Sequence, residues 1–259
     1  MVIYEFDGEK YKNSSSHQKE WGIDLISQLS LKGNEMILDL GCGDGVLTEK
    51  LSGFVPDGKV KGIDSSIGMI QTARKIKRVN LEFIQMDINT MGFKNEFDII
   101  YSNAALHWVK NHNRLLEKSY AALKNQGVIL WEFGGDGNCS NFFDVVRNKI
   151  KEDKYVQYFS DFEWPWFMPT KLQYEELISS IGFTAFTVEE INKDKYFSSS
   201  DAIINWIDQP SIVPFLEQVP HELKTSFRDE IIKEMLNRTQ QQDGTYFETF
   251  RRIKVYAEK

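Results

Sequence analysis

The chain has 259 residues and a formal net charge of −7, with 41% hydrophobic and 27% charged residues. This composition is typical of a folded globular protein, and an α/β domain of this size usually forms a single unit. The acidic balance argues against nucleic-acid binding. No apolar stretch approaches the roughly 20 residues that span a bilayer.

Two cysteines, Cys42 and Cys139, are too few for a disulfide framework or a zinc site in a chain of this length. The N-terminal residues lack the basic segment followed by an apolar one that marks a signal peptide. We therefore expect a cytoplasmic protein that needs no metal.

The first element along the chain is a helix over about residues 16–30, predicted because Trp21, Leu25 and Leu29 recur four residues apart. From 36 to 135, short β-branched or aromatic runs alternate with amphipathic stretches, which predicts crossover units and a parallel sheet. The predicted strands are Met36–Leu40, Val60–Ile63, Leu81–Gln85, Phe97–Ser102 and Val128–Phe133.

The second half is predicted to be helical over 136–181, which is rich in aromatic residues, and over 199–243. Strand patterns follow each helical segment, at 183–197 and 245–259. We predict one domain, 1–259, in which 36–135 forms the core. The N-terminal segment 1–35 and the two helical segments form a cap. The aromatic residues favour the core of that cap over an acyl pocket.

The most informative motif is the turn DLGCGDG (residues 39–45) between the first predicted strand and a helix. Glycines allow a tight strand-to-helix turn and a close approach of a ligand to the backbone. The spacing is G-x-G-x-G, not the G-x-G-x-x-G of dinucleotide binding. The acids Asp39 and Asp44 would repel a pyrophosphate, whereas they suit a ligand that carries an ammonium or a sulfonium.

Further polar residues end the next strands. Asp64 ends the second strand, where an acid can accept hydrogen bonds from both hydroxyls of a ribose. Asp87 follows the third strand, and it can accept from an adenine amino group between apolar neighbours. Asn103 ends the fourth strand. Ligands bind at this carboxyl edge in open α/β sheets.

These residues resemble the class I S-adenosylmethionine-dependent methyltransferases. Within that family the chain is similar to the set that includes the trans-aconitate and the juvenile hormone acid enzymes. The resemblance rests on the glycine turn, Tyr11–Gln18, Asn103–Trp108 and Arg252–Ala257. It implies a Rossmann-like fold with a mostly parallel seven-stranded sheet, an antiparallel last strand and a helical cap.

S-adenosyl-L-methionine is the cofactor that these motifs imply. Its predicted contacts are Tyr11, Asp39, Gly41, Cys42, Gly43, Asp44, Asp64, Ser65, Met69, Met86, Asp87, Ile88 and Asn103. Several of them have structural alternatives: Tyr11 could pack the N-terminal segment, and Asn103 could simply turn the chain.

The resemblance implies methyl transfer to the carboxylate of a small organic acid, with Gln18, His107 and Trp108 as catalytic candidates. A carboxylic acid is already ionised at neutral pH, so no general base is needed. Neutral donors such as the Gln18 amide and the Trp108 indole suit an oxygen that loses charge during the reaction. Gln18 also fits a capping box with Ser15.

Three alternatives remain open. The acceptor could be a malonyl group on acyl carrier protein or another small molecule. The chain could instead be a non-catalytic S-adenosylmethionine-binding module, which would have no need of Gln18, His107 and Trp108 near the sulfonium. Nucleotide binding through a dinucleotide fold is disfavoured by the glycine spacing.

Overall fold

The computed structural model of the protein describes Glu5 and residues 16–259, except for the side chains of residues 16, 17, 209 and 210. These residues form two compact units. The first contains the described residues up to Asp136, with Trp166–Ile191 and Arg252–Lys259. The second contains Gly137–Pro165 and Asn192–Arg251. Every helix within the described residues is too short or too polar to cross a membrane.

A seven-stranded sheet, counted over the described residues, forms the centre of the first unit. Its strands are β1 (Met36–Leu40), β2 (Lys59–Asp64), β3 (Leu81–Gln85), β4 (Phe97–Asn103), β5 (Leu123–Gly134), β6 (Ala185–Asn192) and β9 (Arg251–Glu258). Their order is β3-β2-β1-β4-β5-β9-β6. The pairs from β3 to β5 are parallel, and β9 runs antiparallel to β5. The predicted fold class is therefore confirmed.

Helices of the first unit bury both faces of this sheet, as a parallel sheet requires. Within β1, Leu38 and Leu40 belong to one buried cluster, and Ile37 belongs to another with Leu25 and Leu51. The helices are α1 (Ser16–Ile26), α2 (Val46–Phe54), α3 (Ile67–Ala73), α4 (His112–Ala122) and α6 (Lys171–Ser179). Single 3-10 turns lie at Ile88–Thr90 and Leu106–Trp108.

The second unit is mainly helical and has an aromatic core. Its elements are α5 (Ser140–Lys149), a 3-10 turn (Val156–Tyr158), β7 (Lys195–Phe197), α7 (Ser200–Trp206), a π-helical turn (Ile207–Ser211), α8 (Val213–Leu216), α9 (His221–Thr239) and β8 (Tyr246–Glu248). Phe142, Phe215 and Phe227 are fully buried in it. The buried Glu248 carboxylate accepts hydrogen bonds from the first backbone N–H groups of α5.

The division of the second half differs from the predicted one. Residues 166–181 were expected in the cap, yet α6 packs with the sheet because Tyr174 and Ile178 join its buried cluster. Each of the two late strand patterns also covers two strands, one in each unit: β6 and β7 over 183–197, and β8 and β9 over 245–259. Strand periodicity alone does not show where a chain leaves one sheet for another.

The packing of α6 on the sheet predicts a stability effect. Replacing the fully buried Ile178 with Ala should lower the free energy of unfolding by about 2–5 kcal/mol, because a cavity replaces core contacts. The same truncation of Leu172, which is 66% exposed on the same helix, should change it by less than about 0.5 kcal/mol. Urea unfolding measures both, and equal effects would place α6 outside the core.

Candidate active site

The turn between β1 and α2 is held close to two neighbouring strands. The backbone N–H groups of Gly41 and Cys42 both donate to Ile63 O of β2, at 2.8 and 3.0 Å. Gly41 has φ +73°, and a Cβ there would lie 2.2 Å from the Cβ of Ala105, just after β4. Burial raises the pKa of the Cys42 thiol, so Cys42 stays protonated and contributes packing and a backbone donor.

Asp39 lies in β1 immediately before this turn, and its carboxylate is buried. Thr48 of α2 donates its hydroxyl to Asp39 Oδ2 at 2.7 Å. Burial, with a smaller contribution from the Asp64 carboxylate, raises the pKa of Asp39 to about 7. The Asp39 carboxylate would therefore gain from a cation placed beside it.

Asp64 ends β2 and connects the turn to the following loop. Its Oδ2 accepts from Gly43 N–H at 3.0 Å and its Oδ1 from Ser66 N–H at 2.9 Å. Burial raises the pKa of Asp64, although these hydrogen bonds oppose the shift. Of the other predicted contacts here, Met69 is buried at the start of α3 and Ser65 is half-buried.

Asp44 makes a contact that the sequence did not reveal. Its buried carboxylate lies 3.0 Å from the ammonium of Lys19 on α1, and it also accepts from Val46 N–H at 3.3 Å. Asp44 was predicted as a cofactor contact. In this structure an internal cation already compensates its charge, so α1 is tied to the glycine turn.

Asp87 follows β3 and begins the 3-10 turn Ile88–Thr90. Its Oδ1 accepts from the backbone N–H of Asn89 at 2.8 Å and from the Asn89 side chain at 2.9 Å. Ile88 is buried, and Met86 is half-buried beside it. The capping contact fixes the Asp87 side chain at the same edge of the sheet as Asp64.

Asn103 and Gln18 meet where β4 ends. Asn103 donates its amide to the backbone carbonyl of Gln18 at 2.9 Å. The Asn103 and Gln18 side-chain oxygens are both buried, and neither has a hydrogen-bond partner among the described residues. Buried acceptors without a partner are unusual in a folded protein, and each of these two oxygens can accept a hydrogen bond from a further donor. Tyr11 and Ser15, the expected capping partner of Gln18, lie outside the described residues.

His107 lies in the 3-10 turn after β4. Gly134 N–H donates to its Nδ1 at 3.3 Å, so the neutral ring carries its proton on Nε2. Burial, assisted by the nearby Arg252 guanidinium and by His112, lowers the pKa of His107 to about 3. Trp108 follows, with its ring centroid 5.0 Å from that of Trp166. His107 is therefore a neutral imidazole across the physiological pH range.

His112 supports the site, although the sequence analysis did not single it out. It is buried, with Nδ1 3.1 Å from the Tyr174 hydroxyl and Nε2 3.0 Å from Leu106 O. A neutral ring that donates from Nε2 and accepts at Nδ1 satisfies both contacts. Burial lowers the pKa of His112 to about 4, so this arrangement persists at neutral pH. His112 thus fixes the turn that carries His107 and Trp108.

The described residues predicted at the strand ends therefore gather at one edge of the sheet. Asp87 lies just after β3, and Asp64, Asp39 and Asn103 lie at or near the carboxyl ends of β2, β1 and β4, in the spatial order of the strands. A half-buried carboxylate ends β2 and a buried one lies in β1, while the Asn103 amide and the His107 imidazole lie toward β4. The described residues contain no cluster of three side chains placed to bind a metal ion.

Comparisons with known proteins find methyltransferases among the similar sequences and structures. Residues 37–127 match the family model described as a methyltransferase domain. The chain is 27% identical to trans-aconitate 2-methyltransferase from Mycobacterium tuberculosis over 98% of this chain and 96% of that protein. It is 26% identical to an uncharacterized methyltransferase from Schizosaccharomyces pombe over 98% of each chain.

Solved structures with similar folds include the YcgJ protein from Bacillus subtilis, with a TM-score of 0.62 and 16% identity over 94% of this chain and 99% of that one. Phosphoethanolamine N-methyltransferase 2 from Haemonchus contortus, solved with phosphomonomethylethanolamine and S-adenosylhomocysteine, gives a TM-score of 0.63. The sequence identity between the two proteins is 17%, and the match covers 97% of this chain and 56% of that one.

The domain match and the full-length relatives identify the chain as a methyltransferase. It is a class I S-adenosylmethionine-dependent enzyme. The site fits this cofactor, because the buried Asp39 carboxylate suits an ammonium and the unsatisfied Gln18 and Asn103 oxygens can accept further hydrogen bonds.

The close contact of Gly41 predicts that the turn tolerates no side chain. In Gly41→Ala, the left-handed backbone should cost about 1–2 kcal/mol of stability. The clash with Ala105 should add about 1–3 kcal/mol and weaken cofactor binding. Urea unfolding and calorimetric titration with S-adenosylmethionine measure the two effects.

Gly53→Ala is the matched control, since Gly53 lies in α2 and a Cβ added there would meet open space. That variant should bind the cofactor normally and be as stable as the parent or more so. Normal stability and binding in Gly41→Ala would contradict the proposed constraint.

Proposed function

We propose that the chain transfers a methyl group to a carboxylate oxygen of a small organic acid similar to trans-aconitate. The observation that carries this proposal is the neutral His107, whose Nδ1 accepts from Gly134 and whose Nε2 carries the proton. The name of the Mycobacterium tuberculosis relative supports the same chemistry.

The protonation state of His107 bears directly on the choice of acceptor. Nε2 already holds a proton and Nδ1 is occupied, so His107 is not arranged to remove a proton from a hydroxyl or an ammonium. A carboxylate needs no such base, because an ordinary carboxylic acid is ionised near neutral pH. The site therefore suits an acceptor that arrives already ionised.

When bound, S-adenosylmethionine would supply an electrophilic methyl group: an ionised acceptor oxygen would bond to the methyl carbon as the carbon–sulfur bond breaks and S-adenosylhomocysteine leaves. In our proposal Asp39 faces the ammonium of the cofactor, Asp64 accepts from its ribose hydroxyls and Asp87 from its adenine amino group. Gly41, Gly43 and the neighbouring backbone line the turn. The buried Asp39 and the half-buried Asp64 carboxylates favour a cation, and the hydrogen bonds that they accept from Thr48 and Gly43 hold them in place.

On the acceptor side we assign the amide of Gln18, the indole N–H of Trp108 and Nε2–H of His107. All three are uncharged donors. A cationic side chain bound to the attacking oxygen would stabilise the ground state more than the transition state, since that oxygen loses negative charge as the bond forms. Neutral donors orient the oxygen without this penalty.

The first prediction from the proposed function concerns substrate class. With S-adenosylmethionine and a panel of mono-, di- and tricarboxylic acids, at least one acid should release S-adenosylhomocysteine and yield a base-labile methyl ester. Malonyl-acyl carrier protein belongs in the panel as the competing acceptor. Cofactor binding without turnover on any acceptor would favour the non-catalytic binding module.

The second prediction concerns the donors. Gln18→Ala and Trp108→Phe should each raise the acceptor KM or lower kcat by about tenfold or more, which corresponds to about 1.4 kcal/mol. The cofactor Kd should change little. Val79→Ala, at a fully exposed position, is the matched surface control and should behave like the parent. Full activity in both donor variants would exclude the assigned roles.

The third prediction concerns pH. Because the pKa of Asp39 is about 7 without a ligand and its ionised form binds the cation, cofactor affinity should rise as pH increases. The expected slope is about tenfold per pH unit from pH 5 to 6, with flattening near pH 7. Calorimetric titration at several pH values measures this slope.

Asp39→Asn should bind more weakly and lose most of the slope, and any residual slope would belong to Asp64. Asp57→Asn, at an exposed position in the same unit, should keep the slope of the parent. A pH-independent Kd in the parent protein would argue against Asp39 as the partner of the cofactor ammonium.

A further inference from the structure

A buried ion pair joins the carboxyl end of β5 to the start of β9. Arg252 Nε lies 3.3 Å from Glu132 Oε1, and Arg252 Nη2 donates to the backbone carbonyl of Glu132 at 3.1 Å. The two side chains are only 3% and 1% exposed. Burying two charges requires good pairing and does not by itself favour stability, which points to a role other than stabilising the fold.

The same backbone holds the segment that carries His107. Glu132 O also accepts from Ala104 N–H at 2.7 Å, and Ala104 has φ +57°, a conformation that needs support in a residue other than glycine. Two residues further along β5, Gly134 N–H donates to His107 Nδ1. The end of β5 therefore fixes both the backbone and the ring orientation of the segment after β4.

Arg252 also contacts the helix that carries Gln18. Its guanidinium lies 5.4 Å from the centre of the Trp21 ring on α1, in a cation–π arrangement. One buried side chain thus connects α1, β5 and β9. Through these contacts it supports two of the three proposed hydrogen-bond donors to the acceptor, Gln18 on α1 and His107 beside β5.

The charges of the pair also suit the acceptor side. The Arg252 guanidinium disfavours a proton on His107 Nδ1, while Glu132 compensates the guanidinium locally. His112 is the other titratable group that acts on His107. The acceptor would therefore meet the neutral imidazole of His107. The Arg252 guanidinium is paired with Glu132 and is not one of the donors assigned to the acceptor.

We propose that Arg252 and Glu132 are positioning residues for methyl transfer, because their ion pair holds the end of β5 and α1 so that His107 presents a neutral Nε2–H donor. Neither residue needs to touch the acceptor. The expected change in acceptor KM or kcat rests on the proposed carboxylate methylation, whereas the expected tautomer of the His107 ring does not.

The test begins with the parent protein. Long-range 1H–15N spectra of its four histidines, with His107 assigned by loss of its signals in His107→Gln, should show a neutral ring protonated on Nε2 at pH 6–8. A ring protonated on Nδ1, or a charged ring in this range, would overturn the proposal without any substrate.

Two variants test the ion pair itself. Arg252→Lys keeps the charge but loses the planar fork, and the double variant Arg252→Gln with Glu132→Gln removes both charges while retaining hydrogen-bonding groups. Each should show mixed His107 tautomers. Each should also raise the acceptor KM or lower kcat by about 10- to 100-fold, with cofactor Kd changed by less than about threefold.

Arg78→Met is the matched control, since Arg78 forms a half-exposed ion pair with Glu49 in the same unit and should leave tautomer and kinetics unchanged. Near-UV circular dichroism establishes folding. Unchanged His107 spectra and kinetics in a folded variant would overturn the proposal. Failure of the parent to methylate any acid would refute only the proposed function, because the ring spectra still decide the positioning role.

Discussion

The approach of the glycine turn to the segment after β4 is the contact on which the site depends. At Gly41 there is no space for a Cβ, because Ala105 occupies the position where it would lie. This contact lets β1 and β4 present their polar ends to the same space. The acids of β1 and β2 consequently lie near the uncharged groups of the segment from Asn103 to Trp108.

Charge is distributed unevenly across this edge of the sheet. Asp39 is a buried carboxylate and Asp64 a half-buried one, and both have raised pKa values, so they favour a cationic ligand. Toward β4 the three groups assigned as donors are neutral: an amide, an indole and an imidazole held uncharged, while the charges of Arg252 and Glu132 compensate each other. The methyl donor is cationic and the proposed acceptor is anionic. Each side of the site therefore has groups suited to one of the two reactants.

Two buried carboxylates of the first unit, Asp44 and Glu132, have a cation of the chain as partner. Lys19 compensates Asp44, and Arg252 compensates Glu132. Both pairs are connected to α1. Lys19 belongs to this helix, and Arg252 lies over the ring of Trp21, which also belongs to it. The helix that carries Gln18 is therefore held by electrostatic contacts in addition to its apolar packing through Leu25 and Ile26.

The sequence by itself determined the sheet, the glycine turn and the order of polar residues along its edge. Alternation of short apolar strands with helices and the local chemistry of DLGCGDG are properties of nearby residues. Only the tertiary structure decided the partners of those residues, such as Lys19 for Asp44 or Gly134 for His107. It also assigned α6 to the sheet and divided the late strand patterns. These features depend on contacts between residues distant in the chain, and local periodicity does not encode such contacts.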